Sequence, residues 1–99
     1  MLDSQVAQVL TIKAIRDTSG LDGDIDPDDT LRKCRLRDEE SIEDLKVRIV
    51  ENVDAIGHDI DKDSFRDIDE TTAVGEVIGI VVTATPDKQF MPIRPWRNL

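Results

Sequence analysis

The acidic run Asp38-Glu39-Glu40 leads directly into Ser41. After it, Ile42, Leu45, Ile49, Val53 and Ile56 fall at the spacing of one helical stripe. A serine at the start of such a helix sits among unpaired backbone N–H groups, at the positive end of the aligned peptide dipoles. Two kinds of chemistry suit that position. The field would favour a phosphodiester on the hydroxyl. The hydroxyl could equally cap the helix, since Ser41 and Asp44 have capping-box spacing with Asp in place of Glu or Gln. The residues alone leave both readings open.

A second constellation is made of carboxylates. Asp59, Asp61, Asp63, Asp67 and Glu70 fall at positions 1, 3, 5, 9 and 12 of an EF-hand loop, where oxygen ligands would surround calcium. Other positions argue against this reading. Ser64 stands where the loop needs glycine, Arg66 where an apolar residue is usual, and Gly57-His58 interrupts the entering helix. His58 is the only histidine and has no cysteine near it in sequence, so spacing assigns it to no triad or zinc site; a solvent-facing place after Gly57 is expected. Cys34 is the only cysteine, which excludes an intramolecular disulfide. Arg32, Lys33 and Arg35 around it would lower its pKa if it were exposed; a small apolar role in a loop is the simpler expectation.

Composition narrows the partners. With 22 acidic against 13 basic residues and a net charge of −9, nucleic acid is a poor ligand, and a basic protein surface or a divalent cation fits better. Ninety-nine residues make one small domain. The only rings are those of Phe65, Phe90 and Trp96, so the core must be built from Val, Ile and Leu. No signal-peptide pattern and no apolar run of about 18 residues occur, so a reducing cytoplasm and no membrane span are expected.

The elements that would position these residues follow from periodicity and breakers. A first helix is expected from Ser4 to Asp17, capped by Asp3 or Ser4, with Val6, Val9, Leu10, Ile12, Ala14 and Ile15 as its apolar face and Thr18-Ser19-Gly20 as its stop. A long aspartate-rich loop follows to Glu40, with Leu21, Ile25, Leu31 and Leu36 as anchors. The second helix runs from Ile42 to Ala55 and stops at Gly57. A short third helix near Lys62 to Asp67 would turn Phe65 and Ile68 inward. Val74, Val77, Ile78 and Val81 have helical spacing, although Gly75, Gly79 and Ile80-Val81-Val82 would also tolerate a strand. Residues 1–84 would form the domain. Residues 85–99, broken by Pro86, Pro92 and Pro95, would form an irregular tail whose Phe90, Met91, Ile93 and Trp96 favour docking on a surface.

Taken in order, these features resemble the acyl carrier proteins. Glu40-Ser41-Ile42 is similar to that family's Asp-Ser-Leu, and residues 60–68 look like its third-helix region. Thr72-Ala73-Val74-Gly75-Glu76-Val77 is similar to its Thr-x-Val-x-Asp-Val entry into the last helix. The resemblance covers residues 4–83 and implies an all-α, four-helix acyl-carrier-type bundle with the last element helical.

The resemblance also implies a function. Ser41 would receive 4'-phosphopantetheine from coenzyme A through a phosphopantetheinyl transferase, and the thiol of that arm would carry acyl groups as thioesters in fatty acid or polyketide biosynthesis. The chain would be a monomeric carrier and not an enzyme. Glu39, Glu40, Glu43, Asp44, Glu51 and Asp54 would meet basic patches on synthases or transferases, or else form an ordinary solvated helix face. Leu45, Ile49, Phe65, Ile68, Val77 and Ile78 would line the core, where such carriers shelter an acyl chain. The alternative is an unmodified adaptor of the same fold. It is favoured by Leu36-Arg37-Asp38-Glu39-Glu40, which lacks the family's glycine and is one residue longer, so that alignment on Leu36 places Glu40 at the modification site.

Overall fold

The computed structural model describes residues 2–86. Helix α1, Ser4–Ser19, is capped by Asp3, whose carboxylate accepts from the Gln5 amide at 2.7 Å. It ends at Gly20, which takes φ 74° while its N–H returns to the Arg16 carbonyl. Helix α2, Glu39–Ala55, begins three residues before the expected Ile42, because Asp38 rather than Ser41 caps it. The short helix expected near Lys62 to Asp67 is a 3-10 helix, Lys62–Phe65, and leads to helix α3, Val74–Val81.

The fold is mostly helical but not purely so. His58–Asp59 (β1) pairs antiparallel with Thr85–Pro86 (β2), His58 opposite Pro86 and Asp59 opposite Thr85. His58 is therefore half-buried in a ladder instead of standing free after Gly57. Thr85 and Pro86, expected in the tail, belong to this ladder; Phe90, Met91, Ile93 and Trp96 lie outside the described residues.

The core lies where α1 packs on both α2 and α3, with the 3-10 helix closing its end. Leu45, Ile49, Phe65, Ile68 and Val77 are buried as expected, and Ile78 is half-buried. On α1 the buried stripe is Ala7, Leu10, Thr11, Ala14 and Ile15. Val6 and Val9, expected on that face, point to solvent. The stripe that packs on α2 and α3 is rotated away from these two valines and takes in the small Ala7 and Ala14.

The long loop of residues 20–38 is fastened at several points. Ile25, Leu31 and Leu36 are buried and Leu21 half-buried. Cys34 is also buried, and burial pushes its thiol pKa up, which fits a packing role. Residues 31–36 close a turn in which the Leu36 N–H reaches the Leu31 carbonyl at 2.9 Å and Arg35 adopts φ 71°. The Leu31 N–H donates to the Thr72 carbonyl at 2.9 Å, and the Arg32 N–H to the Glu70 carbonyl at 2.8 Å.

The same loop supplies the missing cap of α3. Ala73 offers no capping side chain, and the first two amides of α3, Val74 and Gly75, donate instead to the carbonyls of Asp29 at 2.7 Å and Pro27 at 2.8 Å. Gly75 suits that approach, since a Cβ there would lie 3.2 Å from the Pro27 oxygen, tighter than side chains ordinarily pack.

Candidate functional site

The entrance of α2 is built by its cap. Asp38 accepts the Ser41 amide at 2.8 Å, and the Ser41 hydroxyl and then its amide hold the Asp38 carboxyl below the usual aspartate range. Glu39 and Glu40 occupy the first two helical positions, where carboxylates complement the helix dipole. Ser41 is thus the third helical residue, half-exposed, and its amide is already used by the cap. The capping box drawn from Ser41 to Asp44 does not form, because Asp44 lies a turn inside the helix and pairs with Arg48 at 3.2 Å.

Beside this entrance a cleft of about 730 Å³ opens between the first turns of α2 and residues 66–70. Ile42 and Ile68 supply its apolar wall, and Arg37, Lys46 and Arg66 bring cations into an otherwise acidic rim. Ser41 does not line it. Of the six α2 carboxylates singled out from the sequence, Glu39, Glu40 and Glu43 come together at the cleft, whereas Asp44, Glu51 and Asp54 lie elsewhere along the exposed helix.

Glu43 is the organising carboxylate of the cleft. It pairs with Lys46 at 3.4 Å and with Lys62 of the 3-10 helix, and hydrogen bonding from Lys62 holds its carboxyl below the usual range. Lys46 is only 9% exposed, so its stem lies against the core while its ammonium reaches Glu43. At the far side Asp69 accepts from the Thr71 hydroxyl and amide, which lower its pKa, and Glu70 grips Arg32 in a two-pronged pair.

Lys46, Arg37 and Arg66 were missed in the sequence. A signal existed for Lys46, which stands four residues after Ile42 and so falls on the buried stripe, three residues from a Glu. No local pattern could join Arg37 to Arg66, because only the fold brings both to the rim of one cleft.

The carboxylates of the calcium reading fall on separate segments, and two of them have local partners. Asp59 lies in β1, Asp61 caps the 3-10 helix by accepting the Asp63 amide at 2.9 Å, and Glu70 is engaged with Arg32. Among the described residues no three His, Cys, Asp or Glu side chains gather where they could hold a metal ion. Among them, too, no helix is long and apolar enough to cross a membrane.

Comparisons with known proteins give no further assignment: no family matches the chain, and neither a curated protein nor a solved structure does.

Proposed function

We propose that this chain is a non-catalytic docking domain of carrier-type architecture. Its acidic α2 entrance would receive a basic surface of a partner protein, with Ser41 serving the helix end and bearing no prosthetic arm. The observation that carries this reading is the place of the cap. The residue that opens α2 directly after its capping aspartate is Glu39, which has no hydroxyl, and Ser41 follows two positions later. The order of a long helix, a long fastened loop, a second long helix, a short helix and a last helix supports the carrier-type arrangement. The exposed Glu39 and Glu40, free of ion pairs among the described residues, support electrostatic encounter with a cationic surface.

A second reading keeps the carrier chemistry, with 4'-phosphopantetheine on Ser41 and an acyl thioester on the arm. It is favoured by the half-exposure of Ser41 within the first turn of α2, where the helix dipole stabilises an anion.

One experiment separates the two: the intact mass of the protein co-expressed with a promiscuous phosphopantetheinyl transferase, beside Ser41→Ala. The docking-domain reading expects an unchanged mass for both. A gain of one phosphopantetheine on the parent, absent from the variant, would replace it with the carrier reading.

A further inference from the structure

Helix α2 has one long outer face. Glu40, Asp44, Val47, Glu51 and Asp54 follow one another three or four residues apart, all exposed, opposite the buried Leu45, Ile49 and Val53. The helix carries six carboxylates against two cations, Lys46 and Arg48. Lys46 pairs with Glu43 and Arg48 with Asp44, so Glu40, Glu51 and Asp54 have no ion pair among the described residues. Arg37 and Arg66 line the entrance cleft, and Glu51 and Asp54 stand outside it. In the middle of the face Val47 is 40% exposed, an apolar step between acidic ends.

The chain leaves the described fold beside this face and heads along it. β2 is antiparallel to β1, with Thr85 opposite Asp59 and Pro86 opposite His58. Going from Thr85 to Pro86 therefore runs back toward Gly57 and the end of α2. Residues 87–99 follow, with Lys88, Arg94 and Arg97 against Asp87. Alternate residues share a side in an extended segment, and Lys88, Phe90, Arg94 and Trp96 all fall on one side while Asp87 falls on the other. Pro92 and Pro95 hold the residues before them to extended backbone.

We infer that residues 87–99 fold back along the outer face of α2, antiparallel to the helix, and cover its entrance. The lengths agree. Asp54 and Glu40 are about 21 Å apart along the helix axis, and Lys88 and Arg94 about 20 Å apart when extended. Lys88 at Asp54 then brings Phe90 near Val47, Arg94 to Glu40 and Trp96 to the α2 entrance. The exposed Val6 and Val9 of α1 offer a rival seat for the rings, but residues 4–16 contain no carboxylate for the cations. Each exposed ion pair is weak alone. The tether compensates, because a short linker gives an effective concentration in the millimolar range. The inference rests on the docking-domain reading and adds its regulation: a basic partner surface must displace the chain's own segment from Glu39 and Glu40. The mass measurement tests that reading without involving Trp96, so the two can fail separately.

Trp96 is the only tryptophan and the chain has no tyrosine, so its fluorescence reports the segment in the full chain. Acrylamide, which is neutral, should quench Trp96 much less in the native protein than in urea. Lys88→Glu with Arg94→Glu should raise the native quenching constant about twofold, with helicity unchanged. Adding Glu40→Lys and Asp54→Lys, both at exposed positions, should restore most of the shielding by exchanging the signs. Four results would overturn the inference: Trp96 quenched as freely in the native parent as in urea, shielding that survives the reversal at Lys88 and Arg94, no recovery on adding the α2 changes, or shielding that disappears on dilution, which would mark a second copy.

Discussion

Asp38 holds the first turn of α2 through the Ser41 amide, and the Ser41 hydroxyl and then that amide weaken its carboxyl's hold on a proton. Asp29, Glu43 and Asp69 are shifted in the same direction, chiefly by a backbone hydrogen bond with Asp26, by Lys62 and by the Thr71 hydroxyl respectively. Each of these groups binds a proton less readily folded than unfolded. The stability they contribute is therefore complete above the ordinary carboxylate range and is lost as pH falls through their lowered values. A urea midpoint followed from about pH 6 to about pH 3 should fall steadily. Asp38→Asn keeps a side-chain acceptor for the cap and removes the titration. Its midpoint at neutral pH should stay close to the parent's, with a shallower fall in acid; an identical acid limb would remove Asp38 from the set.

At the scale of the element, α3 contains two glycines with opposite requirements. Gly79 has open space where a Cβ would stand, so Gly79→Ala should raise stability by about 0.8–1 kcal/mol through helix propensity. Gly75→Ala places its methyl against a Pro27 oxygen that the Gly75 amide already fixes, so it should lower the midpoint; a rise matching that of Gly79→Ala would show that the loop yields freely.

In α2, Ile49 is completely buried, and Ile49→Ala should cost about 2–5 kcal/mol in a denaturant titration. That position was legible, as were Leu31 and Leu36, because apolar residues at helical spacing or isolated among charged residues have few other places to go. The start of α2 was not. Asp38 and Ser41 are both good capping types, and only the turn that ends at Arg35 and buries Leu36 decides which of them meets the helix end. The β1–β2 pair was invisible for a related reason. Two residues on each side carry no alternating pattern, and the pairing joins segments far apart in sequence. The cleft was half legible, since its carboxylates lie on one helix while Arg37 and Arg66 arrive from different segments.

Across the whole molecule, the long-range links fasten segments that are distant in sequence. The Leu2 amide reaches the Val82 carbonyl at 3.0 Å, β2 returns to β1 just after α2, and the loop before α2 lies along residues 70–75. The loop's carbonyls have a kinetic consequence, because the opening amides of α3 find their acceptors nowhere in their own helix. Val74 and Gly75 can exchange their hydrogens with solvent only when the loop lifts away. In deuterated buffer their rates should therefore follow the loop's own anchoring amide, Leu31, and not the middle of α3. Loosening the loop by Leu31→Ala should then speed exchange at Val74, more than forty residues further along the chain, before it does so in the body of α1. The last helix thus reports the state of the loop that precedes the second.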